Sequence, residues 1–277
     1  MGDARPIGVL DSGVGGLTVL RAIRDRLPLE RTIYVGDLLH FPYGPRYQDE
    51  VKGFAFDIIR YLESRDVKLV VIACNTATAA ALNQAREVFD VPIVGVISPG
   101  AQAAVEATAN GLVGVISTEG TRASQEYLHA IKEIDPMVGV YQKACPDLVD
   151  IVEAGDADTP RAEAVLRRDL AEIVALGADV LVLGCTHYPL LRPAVERVHP
   201  GRFALVDSAA TTAAMVARRL DHARMRAEWG DGPATHELLV TAVPRRFDEV
   251  AEILFGERVP AVREIDLWAP ARRAAGR

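Results

Sequence analysis

Two of the three cysteines in this sequence occupy matching local positions. Cys74 and Cys185 each follow an apolar run that ends in a small residue. Residues that can donate hydrogen bonds come next: Asn75 and Thr76 after the first thiol, Thr186 and His187 after the second. A single cysteine in such a position is most often a buried, inert side chain. Two cysteines at equivalent points are harder to explain in that way, and they indicate a shared role.

Two thiols that face each other across a ligand can move a proton from one face of a carbon atom to the other. Only a thiolate is a base, and a free cysteine has a pKa of about 8.5, so each thiol needs a neighbour that assists its proton transfers. His187, two residues after Cys185, is the candidate on one side, and Asp11 is the candidate for Cys74. Simpler roles stay open: Asp11 can cap the helix that follows it, and His187 can begin a helix and make one hydrogen bond.

A glycine-rich segment joins the first predicted strand to the first predicted helix. The backbone N–H groups of Gly13, Gly15 and Gly16 could hold an anion at the helix N-terminus. The Gly-Lys-Ser/Thr of a P-loop is absent, however, and the spacing is not Gly-x-Gly-x-x-Gly. A tight strand-to-helix turn explains the glycines equally well, and Ser12 could donate to a ligand or cap the helix.

Metal and cofactor chemistry find little support in the sequence. A metal site needs further Cys or His residues at short spacing, and none accompanies the two thiols. Cys145 is predicted to be structural. A pyridoxal cofactor needs a lysine for its Schiff base, and of the four lysines only Lys143 stands near a strand end, with no phosphate-binding segment beside it. We therefore expect no metal and no cofactor.

Short apolar runs alternate with amphipathic stretches along the chain. Strands are predicted at 7–10, 33–35, 69–73, 93–96, 113–116, 139–141, 180–183 and 203–206. Helices are predicted at 17–26, 48–64, 77–88, 122–134 and 158–176. Continuous apolar strands separated by helices predict parallel sheets covered on both faces, hence an α/β protein. Ligands bind beyond the carboxyl ends of such strands, where both cysteines lie.

The pattern occurs twice. Residues 8–12 resemble residues 114–118, and residues 70–75 resemble residues 181–186, in the same order. This repeat predicts two pseudo-symmetric domains, each with a mostly parallel sheet flanked by helices, and an active site in the cleft between them. The first domain is predicted to comprise residues 1–97 plus 208–277, with a helix at 211–224, a strand at 237–241 and a frayed tail at 269–277. The second comprises residues 98–207.

Composition excludes several classes of protein. The chain has 277 residues, and 31 Lys and Arg stand against 38 Asp and Glu, which gives a net charge of −7. This balance disfavours general binding of nucleic acid or anionic lipid. No apolar run approaches the ~20 residues of a membrane-spanning helix, and the N-terminus does not resemble a signal peptide. We therefore expect a cytoplasmic protein with reduced thiols.

Five segments, between about residues 7 and 220, resemble glutamate racemases of the aspartate/glutamate racemase family. In chain order they are 11–18 (DSGVGGLT), 34–37 (YVGD), 42–44 (PYG), 73–77 (ACNTA) and 184–191 (GCTHYPLL). The resemblance implies a cofactor-independent enzyme that interconverts L- and D-glutamate and supplies D-glutamate for peptidoglycan. It also implies two pseudo-symmetric α/β domains, with the last segment returning to the first.

The resemblance assigns roles to individual residues. It implies that Cys74 acts on D-glutamate with help from Asp11, and that Cys185 acts on L-glutamate with help from His187. Glu153 matches an acidic position that orients His187. The substrate-binding positions it implies are Asp11, Ser12, Pro42, Tyr43, Gly44, Asn75, Thr76, Thr118, Thr121, Thr186 and His187.

Two other functions stay open. A related two-thiol racemase could act on aspartate or another acidic amino acid, and a protein of the same fold could bind an anion without turnover. The sequence departs from the family after the second strand, where Gly36 and Asp37 are followed by Leu38 instead of Thr. We also expect a homodimer, whose geometry the sequence does not determine.

Overall fold

Two parallel sheets organise the chain. The computed structural model describes residues 2–228, 232, 234–242, 247, 251 and 261–268. The strands within these residues are β1 Ile7–Asp11, β2 Thr32–Gly36, β3 Leu69–Ile72, β4 Ile93–Gly95, β5 Leu112–Ser117, β6 Gly139–Ala144, β7 Val180–Gly184, β8 Ala204–Asp207, β9 His236–Val240 and β10 Arg263–Glu264. The helices are α1 Leu17–Arg26, α2 Gln48–Ser64, α3 Asn75–Val88, α4 Ile97–Ala107, α5 Glu119–Ser124, α6 Glu126–Ile134, α7 Asp147–Glu153, α8 Pro160–Leu176, α9 Arg192–Val198 and α10 Ser208–Ala223, with a 3₁₀ helix at Tyr188–Leu191.

The sheets repeat one strand order. The six-stranded sheet runs β10-β9-β2-β1-β3-β4, and the four-stranded sheet runs β6-β5-β7-β8. Every pair of neighbouring strands is parallel. The order β2-β1-β3-β4 therefore matches β6-β5-β7-β8, with β1 equivalent to β5 and β3 to β7. The predicted α/β class and the sequence repeat are confirmed, because the repeat paired the same strands.

Strands β1 to β4 of the first sheet are buried on both faces. Alternate residues point to opposite faces of a strand. Ile7 and Val9 accordingly join one core with α1 and α10, while Leu10 joins a second core with α2 and α3. Helix α10, which follows the second sheet in the chain, shares the first core through Val216. Strand β9 then pairs with β2, so the chain returns to the first sheet.

Local chemistry sets the helix ends. Pro160 stands at the first position of α8, where its missing N–H costs no hydrogen bond. The same helix ends at Gly177, whose φ of +89° favours glycine. The Asp207 carboxylate accepts hydrogen bonds from the N–H groups of Ala209 and Ala210 and so caps α10.

The secondary-structure prediction was wrong in some places. The predicted helix at 122–134 is two helices, α5 and α6, because Gln125 adopts a left-handed conformation with φ of +60°. Helices α4, α7 and α9 were not predicted. In α4 the sequence Ser-Pro-Gly resembles a turn, but Pro99 lies in the first helical turn, where proline is tolerated.

Two further observations bear on the predictions. The predicted tail at 269–277 lies outside the described residues. Within the described part of the chain, no helix combines the length and apolar character needed to cross a membrane.

Candidate active site

The carboxyl ends of the central strands of both sheets meet at one cavity of about 190 Å³. A cavity of this kind suits a small molecule. Its walls include eleven of the predicted site residues: Ser12, Pro42, Tyr43, Gly44, Cys74, Asn75, Thr76, Thr118, Cys185, Thr186 and His187. The predicted residues Asp11, Thr121 and Glu153 are not among its lining residues. The fold therefore brings both thiols to one space.

Cys74 caps helix α3. Its Sγ accepts a hydrogen bond from the Ala77 N–H at 3.4 Å and lies 3.8 Å from the Ser12 hydroxyl oxygen. Burial raises the pKa of Cys74 to about 12, and the nearby charge of Asp11 adds to this effect. Cys74 is therefore a protonated thiol at neutral pH, although the helix N–H group favours the thiolate.

Asp11, at the end of β1, is completely buried behind the cavity wall. Its Oδ2 accepts hydrogen bonds from the N–H groups of Gly13 and Gly16, each at 3.0 Å. Its Oδ1 accepts a longer bond of 3.4 Å from the Thr186 hydroxyl, which follows β7. Burial raises the pKa of Asp11, while the charge of His187 and these hydrogen bonds lower it. Asp11 thus stabilises the glycine turn, as the capping interpretation predicts, and also links the two halves of the site.

Gly16 is required by this arrangement. A Cβ atom at this position would lie 2.4 Å from the Cβ of Asp11 and 2.8 Å from the hydroxyl oxygen of Tyr34. That hydroxyl donates a 2.6 Å hydrogen bond to the Gly13 carbonyl oxygen. The glycine segment is therefore a tight turn built around a carboxylate, and Asp11 already occupies two of the three N–H groups considered for an anion, those of Gly13 and Gly16.

Cys185 has a different partner. Its Sγ lies 3.8 Å from Nδ1 of His187, and Nε2 of His187 lies 2.6 Å from a carboxylate oxygen of Glu153. Burial by itself lowers the pKa of His187, but the interactions with Cys185 and Glu153 outweigh it and raise the pKa to about 10. His187 is therefore a cation at neutral pH, and its ring faces the Cys185 sulfur.

Hydrogen-bond donors surround the cavity. The hydroxyl groups of Thr76, Thr118 and Thr121 form a cluster with O···O distances of 2.8 to 3.2 Å. The Asn75 side-chain oxygen accepts a 2.8 Å bond from Tyr127, but its Nδ2 is buried and has no partner among the described residues. A buried donor without a partner is costly, so Asn75 is placed to donate to a ligand.

The segment that carries Tyr43 is fixed by a residue that the sequence analysis did not assign to the site. Asp37 is completely buried and accepts hydrogen bonds from the hydroxyl groups of Tyr43 at 2.6 Å and Thr241 at 2.7 Å. His40 Nδ1 lies 2.9 Å from the same carboxylate. The sequence did contain a signal for Asp37, because this residue belongs to the segment 34–37 (YVGD) that resembles the racemase family. The Tyr43 hydroxyl already donates to Asp37, so its proton is not free for a ligand.

Cys145 differs from the two cavity thiols. Its side chain is buried in the second core, and it is not among the cavity-lining residues. Burial and the charge of Asp169 raise its pKa to about 12. The Tyr188 hydroxyl donates to its carbonyl oxygen at 2.8 Å. A structural role accounts for these contacts.

Fold and site together define a class: an α/β protein in which two equivalent sheets present one thiol each to a shared small-molecule cavity. Residues 17–216 match the family model described as Asp/Glu/Hydantoin racemase, and both thiols lie within this match. The chain belongs to this family.

Individual relatives agree with this assignment. The chain is 43% identical to a glutamate racemase of Shouchella clausii over 96% of both chains. It is similar to the crystal structure of glutamate racemase isoform RacE1 from Bacillus anthracis, with a TM-score of 0.91 and 38% identity over 95% of this chain and 98% of the other. A Francisella tularensis glutamate racemase in complex with D-glutamate gives a TM-score of 0.89 and 29% identity over 96% of this chain and 98% of the other.

Proposed function

We propose that this protein is an isomerase that interconverts L- and D-glutamate without a cofactor and supplies D-glutamate for peptidoglycan. The observation that carries the proposal is the pair Cys74 and Cys185, which stand at equivalent strand ends and line one cavity. Relatives named glutamate racemase, at 40–43% identity over nearly the whole chain, support glutamate as the substrate.

The reaction is a two-base proton transfer. From L-glutamate, the Cys185 thiolate takes the proton on Cα, so that the Cα–H bond breaks and an S–H bond forms. The Cys74 thiol then gives its proton to the opposite face of the carbanion, and its S–H bond breaks. The product is D-glutamate, with Cys185 as thiol and Cys74 as thiolate. The reverse reaction begins at Cys74.

His187 and Asp11 assist the two thiols. In this reaction the His187 cation, held by Glu153, lies beside the Cys185 sulfur and offsets its negative charge while Cys185 acts as the base, and the proton taken from Cα stays on Cys185. Asp11 assists Cys74, and a carboxyl group with a raised pKa suits this exchange of protons. Glu153 is a positioning residue that acts through His187.

The carbanion is stabilised by enclosure and by aimed hydrogen bonds. Cys74 and Cys185 are only 6% and 7% exposed, so the reacting carbon is shielded from water. Asn75 donates through its free Nδ2. The other substrate-binding residues we propose are Asp11, Ser12, Pro42, Tyr43, Gly44, Thr76, Thr118, Thr121, Thr186 and His187. Tyr43 contributes its backbone and ring, because Asp37 holds its hydroxyl.

The wider organisation is part of the same proposal. The first domain comprises residues 1–97 and 208–277, and the second comprises residues 98–207. We further propose a cytoplasmic homodimer that binds no nucleic acid.

The test of this function is circular dichroism with purified protein and no added cofactor, using L-glutamate and L-aspartate in turn. Loss of optical activity with glutamate alone is the expected result. Turnover of aspartate in preference to glutamate would keep the mechanism and change the substrate. Binding of either amino acid with no turnover would reject the enzyme assignment in favour of a binding protein.

A further inference from the structure

We infer that Gln48 is a positioning residue for substrate binding, because it helps to clamp Gly120, in the second half of the chain, against the first half. The inference rests on the proposed function and deepens it. Gln48 is the first residue of α2, beside the first sheet, whereas Gly120 lies in the first turn of α5, beside the second. Gln48 is not among the described residues that line the thiol cavity.

Two reciprocal hydrogen bonds form the clamp. The Gly120 N–H donates to the Gly44 carbonyl oxygen at 2.9 Å. The Gln48 side-chain amide donates to the Gly120 carbonyl oxygen at 3.0 Å. One segment of the first half, residues 44–48, therefore holds both polar backbone groups of a single residue in the second half. Gln48 is the only member of the clamp that contributes a side chain.

The clamped residue lies between two proposed substrate-binding residues. Thr118 caps α5, and its hydroxyl accepts a 3.4 Å hydrogen bond from the Thr121 N–H. The Thr76 hydroxyl approaches both threonines from the first half. The first turn of α5 is thus held by the threonine cluster and by the hydrogen bonds to Gln48 and Gly44. A shift of Gly120 would move Thr118 and Thr121 with it.

The clamp is closely packed. A Cβ atom on Gly120 would lie 3.0 Å from the Gly44 carbonyl oxygen and 3.0 Å from a methyl carbon of Thr76. A Cβ atom on Gly44 would lie 3.0 Å from Thr118. The two segments are therefore in direct contact at this wall of the cavity. A weaker clamp shortens the time for which the threonine donors stay aligned.

Glutamine suits this position chemically. The Gly120 carbonyl oxygen is an acceptor only, and a neutral side-chain amide supplies a donor of the right reach. Glutamate has the same shape but places acceptor oxygens against the carbonyl. Because Gln48 touches neither thiol, its loss acts on substrate binding and leaves proton transfer intact.

The experiment measures kcat and KM for both enantiomers in the wild type, Gln48→Ala and Gln48→Glu. The KM values should rise about three- to tenfold, the range expected for one lost hydrogen bond. The kcat values should stay within about twofold, since uniform binding alone is removed. Because the two enantiomers have equal free energy in solution, kcat/KM must fall by the same factor in both directions. This equality tests the consistency of the kinetic data.

Two control variants lie on the same helix. Asp49→Ala changes the neighbouring residue, which is exposed and paired with Lys52. Lys52→Gln makes the same change in net charge as Gln48→Glu. Both controls should keep the wild-type KM, and all four variants should keep a similar thermal midpoint.

Three outcomes would contradict the inference. An unchanged KM in Gln48→Ala and Gln48→Glu, with an active wild type, overturns this inference alone. An equal rise of KM in Asp49→Ala would assign the effect to the helix terminus and overturn it as well. A wild type that does not racemise glutamate overturns the proposed function, and the inference falls with it.

Discussion

The two thiol sites stand on equivalent strands but have opposite surroundings. Cys74 contacts a helix N–H group and a hydroxyl group, and the charge that affects its pKa most is that of Asp11. Cys185 contacts the imidazole ring of His187, whose pKa is raised by its interactions with Cys185 and Glu153. Two equivalent strands therefore place their thiols in different chemical surroundings.

This inequality is what a two-base reaction needs. If both thiols were protonated, neither could remove a proton; if both were ionised, neither could supply one. Burial holds Cys74 as a thiol with a pKa of about 12, whereas the Cys185 sulfur lies beside the His187 cation. In the mechanism proposed above, Cys185 is the base for L-glutamate, and each turnover exchanges the roles of the two thiols.

The largest effect is expected from removing either thiol. Cys74→Ser and Cys185→Ser should each lower kcat by about a thousandfold or more in both directions, because each face of Cα loses its only acid/base. Circular dichroism with each enantiomer measures the loss. Cys145→Ser is the matched control and should retain activity within about twofold, since its thiol lies in the core. Substantial activity in Cys74→Ser would mean that the two sites do not work as a pair.

The assisting residues should matter less than the thiols. His187→Asn and Asp11→Asn should each reduce kcat by about a hundredfold, because the thiols remain but lose their partners in proton transfer. Steady-state kinetics gives the values, and near-ultraviolet circular dichroism verifies that both variants are folded. If Asp11→Asn kept full activity, Asp11 would be a capping residue only.

The different surroundings of the two thiols should appear in their alkylation rates. Cys74 and Cys185 are 6% and 7% exposed, so access to reagent is matched and the thiolate fraction decides the rate. At neutral pH, iodoacetamide should modify Cys185 at least about tenfold faster than Cys74. Peptide mass spectrometry quantifies each site. His187→Asn should remove the difference, and faster modification of Cys74 in the wild type would contradict this expectation.

The smallest effect is expected at Glu153. The carboxylate favours the charged form of His187, so Glu153→Gln should lower the pKa of His187 from about 10. Activity that needs the imidazolium is present below this pKa and is lost as the pH rises through it. The alkaline limb of the kcat profile should therefore move to lower pH, with a loss of no more than about tenfold near neutrality. A profile with an unchanged alkaline limb would show that Glu153 does not act through His187.

The sequence predicted the parts of the site that depend on local order. Cys74 and Cys185 were found because each ends a buried strand, and the parallel arrangement then requires both to lie at the carboxyl edge. Asp11 followed from the same rule. These inferences needed only periodicity and spacing, which are properties of short segments.

Contacts between distant segments were not predictable in this way. Asp37 binds Thr241, which is far away in the chain, and Gln48 reaches Gly120 in the other half. The break at Gln125 was missed as well, since non-glycine residues seldom adopt a left-handed conformation and the helical periodicity continues across it. Thr121, predicted to bind substrate, lies in the threonine cluster behind the lining residues, a position that spacing alone could not give.

The most direct test of the central claim is racemisation of L-glutamate in D₂O without added cofactor. Circular dichroism follows the optical activity, and mass spectrometry follows deuterium at Cα. The two-thiol account predicts loss of optical activity together with deuterium in the D-glutamate that forms, since its Cα proton comes from a thiol that exchanges with solvent. Formation of D-glutamate that keeps the original hydrogen, or no turnover by a folded protein that binds glutamate, would contradict it.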